Sequence, residues 1–357
     1  MPTPSSLRRL LALLPLLASL GAQAETAVTD QRGVTVPLAL PAQRVVFIPP
    51  VMWTYLTVDQ GSQHLVGTSA FARRVIQQGL LGERYPAAAE LPDVTSNGFF
   101  APNVEAILAL HPDVIFQTSQ IGADAYAPLE QLGLPVLAIT GAHGEADFIR
   151  WTRLAGTVAG RDTAAQALVD RFERERARQE ARWAALPDAA RPRVLQLMSI
   201  EPLRALAGGS AIDQAIRHAG GRNVAAGLSR FGTIAFEQVL AWDPDVILLS
   251  GWPEEKTVPA DLFASAQWSV LRAVREKRVY KVPLGGQRFD GIVEAPLYWQ
   301  WLAELLHPER SEPRFRDLFR SIYRDTYQLE LSDERIDTAI YAQANRESAG
   351  FGRLVER

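Results

Sequence analysis

The sequence predicts an α/β protein of two lobes joined by one long helix, and three observations carry that prediction. The first is a stretch present twice: residues 104–120 read VEAILALHPDVIFQTSQ and residues 236–252 read FEQVLAWDPDVILLSGW. At a constant offset the two copies share Glu105/Glu237, Leu108/Leu240, Ala109/Ala241, Pro112/Pro244, Asp113/Asp245, Val114/Val246 and Ile115/Ile247. Each copy opens with a short apolar-periodic helix, stops at a Pro-Asp turn, and runs on as a strand of the kind buried on both faces of a parallel sheet. A helix feeding a buried parallel strand is half of an α/β unit, so two distant copies predict two sheets. The second observation is β-α-β alternation on either side of the middle of the chain. The third is the run from Thr163 to Leu186, which lacks Gly and Pro and contains RFERERARQEARW, strong helix formers of mixed charge.

Taken in order, Glu25 to Ala42 reads as a hairpin around a Gln-Arg-Gly turn. Arg44–Ile48 is a buried strand ended by Pro49-Pro50, and a helix runs through Met52, Trp53, Tyr55 and Leu56 to Gly61. Leu65–Thr68 is a second short strand. Residues 70–100 are expected to form a long loop carrying Phe71, Arg73, Arg74, Tyr85, Phe99 and Phe100. After the first repeat come a helix from Asp124 to Gly133 and the strand Val136–Thr140. Gly160-Arg161-Asp162-Thr163 is a break and cap, and the helix beyond it, of about 24 residues, makes a strut of roughly 36 Å. Alternation then restarts with a strand at Val194–Met198, a helix over Ser210–Ala219 and the second repeat. Trp268–Lys277 is helical, Arg278–Val282 a strand, and Pro283–Gly286 a turn before the C-terminal helices, among them Ala295–Leu306. The expected divisions are a signal over residues 1–24, an N-terminal lobe over 25–160, an interdomain helix over 161–187 and a C-terminal lobe over 188–357.

The remaining composition bounds the function. At 357 residues the chain suits two cores better than one. A formal net charge of −3 offers no basic excess for nucleic acid. Arg8 and Arg9, the apolar Leu10–Leu20 and Ala22-Gln23-Ala24 read as a secretory signal cleaved after Ala24, which leaves a mature charge of −5. The apolar stretch is too short to span a membrane. Paired arginines also raise twin-arginine export, but plain Leu-Ala follows them, which favours the general route. With no cysteine there is neither a disulfide nor an acylation site, so a free protein of the Gram-negative periplasm is expected.

Together these pieces resemble the periplasmic solute-binding proteins of ABC importers for iron-siderophores, haem and vitamin B12. The resemblance rests on the export signal, both Glu-x-x-Leu-Ala…Pro-Asp-Val-Ile repeats and the long helix followed by Arg-Pro-Arg-Val-Leu. GGSAIDQAIRHAGGRNVA (208–225) and APLYWQWLAELLHPE (295–309) add to it, so that nearly the whole mature chain is covered. It implies two Rossmann-like lobes with mostly parallel sheets bridged by a single long α-helix, a ligand held between them, and no enzymatic activity. It also implies that Glu105 and Glu237 dock a loaded monomer onto arginine pockets of a dimeric permease coupled to its ATPase. A ferric siderophore leads as the ligand, with haem, cobalamin and nickel chelates as alternatives and an exported two-lobe enzyme further behind.

Ligands of open α/β sheets sit outside the carboxyl ends of the strands. The loops there hold Trp53, Phe71, Arg73, Gln120 and His143 in the first half, and Arg204, Trp252, Arg288 and Phe289 in the second. From these, Trp53, Arg73, Arg204, Trp252, Arg288 and Phe289 are the expected ligand contacts, rings for an organic frame and guanidiniums for its anionic groups. No cofactor and no directly bound metal is expected, since His64 and His111 precede strands while His218 and His307 read as solvated helix ends. No nucleophile elbow, phosphate loop or dinucleotide fingerprint occurs.

Overall fold

A computed structural model describes residues 25–141, 144–228, 231–252, 254–286 and 291–356. The expected signal with its cleavage after Ala24, His143, Arg288 and Phe289 lie outside the described residues. The chain begins with the expected hairpin, β1 (Glu25–Thr29) against β2 (Thr35–Ala39). Asp30 organises its turn by accepting from the Arg32 and Val34 amides, and it also accepts from the Ala138 amide at 3.0 Å. That last bond ties the hairpin to the first sheet.

The first sheet consists of β3 (Val45–Phe47), β4 (Leu65–Thr68), β5 (Val114–Thr118) and β6 (Val136–Ile139), in the order β4-β3-β5-β6 and parallel throughout. Between the first two strands, α1 (Trp53–Asp59) is buried along its whole length. Residues 70–100, expected as loop, instead hold α2 (Ala70–Gln78), α3 (Leu81–Arg84) and α4 (Pro86–Ala89). The signals for α2 are local. Ser69 caps it by accepting from the Ala72 amide at 3.3 Å, and Phe71, Ala72, Val75 and Ile76 form one buried face. The repeat helix α5 (Val104–Ala109) precedes β5, and only a 3₁₀ turn and α6 (Ala127–Glu130) stand where one longer helix was expected.

One long helix leads from the first half to the second, preceded by a helix that packs on α1. α7 (Glu145–Ala159) ends at Gly160, whose φ of +63° is left-handed, and α8 (Asp162–Trp183) follows with 22 residues. At 1.5 Å per residue α8 is about 33 Å long. Ala165, Val169, Phe172, Gln179 and Trp183 make its buried stripe, while its charged residues lie outside that stripe.

The second sheet is mixed. It contains β7 (Arg193–Ser199), β8 (Arg204–Leu206), β9 (Arg222–Asn223), β10 (Phe231–Thr233), β11 (Val246–Leu249) and β12 (Val279–Lys281), ordered β10-β8-β7-β11-β12 with β9 beside β7. β7, β9, β11 and β12 are parallel, β8 runs against them, and β10, antiparallel to β8, runs with them again. Its helices are α9 (Ala211–His218), the repeat helix α10 (Phe236–Trp242), α11 (Pro259–Ala264) and α12 (Arg272–Arg275). α13 (Ala295–Leu306), α14 (Phe315–Tyr327) and α15 (Asp333–Ala339) complete the chain.

The two repeats occupy equivalent places. Val114 pairs with Val45 in the first sheet, and Val246 pairs with Val194 in the second. Asp113 accepts from the Gln43 and Arg44 amides at 2.8 and 2.9 Å, and Asp245 accepts from the Arg193 amide at 2.7 Å. In both copies the aspartate therefore sets the start of the neighbouring parallel strand, which gives the Pro-Asp pair its structural reason.

One hydrophobic core runs through both halves. It takes in α1, α7, α8 and the first sheet, and continues into α13, α14 and part of the second. Every residue of α13 is buried, as the mostly apolar APLYWQWLAELL leads one to expect, and its two polar residues satisfy each other, Gln300 Nε2 donating to Glu304 at 2.6 Å. Trp299 is the hub, 5.2 Å from Phe172 of α8 and 4.7 Å from His218 of α9, centroid to centroid.

Candidate ligand cleft

Loops at the carboxyl ends of the strands bring the two halves together. After β4, α2 presents Phe71 and Arg74; after β11, the turn through Ser250 and Gly251 presents Trp252 and Glu254. That turn runs so close to β12 that a Cβ on Gly251 would fall 2.1 Å from the Val282 carbonyl oxygen, so only glycine fits. The Trp252 ring then meets Phe71 edge-on, 5.9 Å between centroids, and Phe71 packs against Phe99 at 4.6 Å. Phe100 extends the cluster, 4.5 Å from Phe99. Beside these rings, Arg74 Nη2 pairs with Glu254 at 3.0 Å. Their side chains are 42% and 46% exposed, and an ion pair so wet is worth under about 1 kcal/mol, little resistance to an incoming solute.

Two further contacts flank this junction. The Leu80 amide donates to the Gly285 carbonyl at 3.1 Å, with Arg335 paired to Glu83 nearby. On the far side, the Glu145 amide at the start of α7 donates to Gln214 Oε1 at 2.7 Å, and Glu145 meets His218 at 3.0 Å.

The expected ligand contacts divide accordingly. Trp252 is half-buried at the junction, against Phe71. Arg204 is exposed at the carboxyl end of β7, opposite Ser199, and its side chain has no partner among the described residues. Trp53 needs correction. It is fully buried within α1, because a helix covered on all sides leaves no ring face for a ligand. Arg73 needs correction too, since it lies on α2 and its Nη1 donates to the Leu91 carbonyl at 3.0 Å, holding helix to loop. Its neighbour Arg74 is the arginine that crosses, and sequence reasoning passed over it because a loop has no faces to tell the two apart. Arg288 and Phe289 are outside the described residues.

The histidines also depart from expectation at two places. His218 and His307 are buried, not solvated. His218 pairs with Glu145, and His307 Nε2 meets the Gly220 carbonyl at 3.1 Å, its imidazole pushed below the ordinary range by burial. Among the described residues no group of three or more metal-binding side chains gathers. Glu105 and Glu237 are both exposed, each in the first turn of its repeat helix. Asn103 caps the first helix by accepting from the Ala106 amide at 3.2 Å, whereas Ala235 leaves the second without a side-chain cap.

Comparison with known proteins gives this arrangement its context. The profile of a family described as periplasmic binding protein matches residues 61–284. The molybdate-binding protein MolA of Haemophilus influenzae is 26% identical over 348 residues, 89% of this chain and 96% of that protein. A cobalamin-binding protein of Halobacterium salinarum is 26% identical over 226 residues, 61% of this chain and 57% of that protein. Among solved structures, a periplasmic solute-binding protein of Veillonella parvula superposes with a TM-score of 0.77 at 27% identity, covering 90% of this chain and 98% of that one.

Proposed function

We infer that this chain, which belongs to the periplasmic binding protein family, captures a metal chelate between its two lobes and delivers it to a membrane permease. As a solute-binding protein of an ABC transporter it is not an enzyme, and the family implies a periplasmic setting. The observation that carries the ligand reading is the aromatic junction of Phe99, Phe100 and Trp252, seated on the buried Phe71 astride the lobes, with Arg74 beside it and Arg204 exposed at the carboxyl end of β7. Aromatic faces reward an organic frame and guanidiniums reward its anionic groups, which suits a ferric siderophore or a similar chelate. The length over which the chain aligns with a molybdate-binding protein supports a second reading, a bare oxyanion held by the arginines. Native mass spectrometry of the protein purified from its own periplasm separates the two. A chelate mass of several hundred daltons is expected, whereas bound molybdate alone would overturn the chelate reading.

Arg204→Ala should weaken an anionic chelate by about 1.5–3 kcal/mol, the worth of a charge-assisted hydrogen bond, and Trp252→Ala should abolish the fluorescence change on binding. Unchanged affinity for the arginine variant would mean that the ligand is neutral or held elsewhere. The lobes should also keep nearly fixed separation, because α8 and the continuous core brace them. Solution scattering is therefore expected to show only a small change in radius of gyration on loading, and a closure typical of sugar-binding proteins would contradict this. Cleavage after Ala24 belongs to the same proposal and is tested by sequencing the mature N-terminus.

A further inference from the structure

A recess away from the cleft carries more positive charge than its surroundings neutralise. Arg178, Gln179 and Arg182 line it from the last turns of α8, and Arg310, Glu312 and Arg314 from the segment between α13 and α14, around a cavity of about 280 Å³. None of these residues belongs to a loop at the carboxyl end of a strand. The four guanidiniums meet three carboxylates, Glu312 in the lining, Glu175 beside it and the buried Glu304 behind it. Glu175 is shared, 3.0 Å from Arg178 and 3.6 Å from Arg314. Arg182 is spent on neutral acceptors, Gln300 Oε1 at 3.4 Å and the Arg310 carbonyl at 3.1 Å. Arg310 is exposed, and its side chain has no partner among the described residues. The Nε of Arg314 is buried without a hydrogen-bond acceptor, and its buried Nη2 has only the long ion pair with Glu175.

Buried donors without acceptors are costly, and like charges held in a concave site repel one another. Burial, and then the charge of Arg314, push the Arg182 guanidinium below its ordinary range. A helix C-terminus favours cations within its last turn, which accounts for Arg182 but not for Arg178 a turn earlier, nor for Arg310 and Arg314 on another segment.

We propose that this recess binds a phosphate group, either free or carried on a lipid headgroup. A phosphate group answers the remaining positive charge, and its tetrahedral oxygens can accept from several guanidiniums at once, including the Arg314 Nε that now lacks an acceptor. The site is separate from solute capture and would bind in the presence or absence of a cleft ligand.

The test uses the whole mature protein. Calorimetric titration with inorganic phosphate reads the free source. Co-sedimentation with phosphatidylglycerol vesicles, compared with phosphatidylcholine vesicles, reads the lipid source. Arg178→Ala combined with Arg310→Ala removes two exposed side chains and should weaken whichever source binds at least tenfold. Arg346→Ala, an exposed arginine elsewhere, should leave binding unchanged. Should the double variant lose its thermal transition, Arg310→Glu alone gives the same reading from an exposed position. The proposal is overturned if neither source binds the parent protein in the millimolar range, or if the variants bind as the parent does.

Discussion

Glu105→Ala combined with Glu237→Ala is expected to abolish ligand uptake by cells while leaving ligand affinity within twofold of the parent. The family resemblance implies this docking role, and five of the seven shared positions of the repeat bear on it. Val114, Val246, Ile115 and Ile247 are core, and Asp113 and Asp245 bond the backbone of the neighbouring strand. Glu105, Leu108, Glu237 and Leu240 have no such role. The glutamates are exposed, and the two leucines, three residues along the same helix faces, are 42% and 43% exposed. An acid in the first helical turn is worth about 0.3–1 kcal/mol to stability, far too little to account for a complete loss of transport. A partner with two-fold symmetry, presenting a basic and an apolar site to each lobe, would recognise both pairs. Transport at the parent rate would remove the docking assignment. Lost ligand affinity would instead show that the substitutions had disturbed the lobes.

Trp299→Ala should lower the free energy of unfolding by about 3–5 kcal/mol, the usual cost of removing a large buried aromatic. Domains of ordinary stability have only about 5–15 kcal/mol in total, so the variant should unfold well below the parent in urea. Its ring touches both the long helix, through Phe172, and the second half, through His218. Val270→Ala is the control, since Val270 is 55% exposed and should cost under about 0.5 kcal/mol. A cost below about 1.5 kcal/mol for Trp299→Ala would mean that the site collapses around the gap, and that the shared core braces the halves less than its burial implies.

Much of this architecture is legible in the sequence wherever a local signal and burial agree. The repeats, the hairpin around Gln-Arg-Gly and α13 all read correctly, because the apolar runs and turn residues that define them are local. The site was harder to read, for an identifiable reason. Trp53 follows a strand and therefore looked like a cleft residue, yet the helix that carries it is covered by α7 and by Tyr327 of α14, contacts made between segments far apart in the chain. Arg73 and Arg74 are adjacent, and only knowing that α2 is a helix decides which of them crosses to the other lobe. His218 and His307 looked solvated because helix ends usually are, whereas here partners from distant segments cover both.

The meeting of Thr57 with Tyr327, hydroxyl to hydroxyl at 3.4 Å across 270 residues, bears on how the protein is made. A chain that emerges N-terminus first lays down all of the first sheet before α14 exists. Until α14 arrives, α7 packs against α1 but the part of α1 that Tyr327 covers stays open. Closing so long a loop costs about 2 kcal/mol more than closing one of 30 residues, so little is lost in equilibrium terms. The delay matters in time. A newly exported chain presents that uncovered surface to chaperones and proteases until its final helices arrive. A chain truncated after α8 should accordingly aggregate instead of persisting as a free-standing lobe.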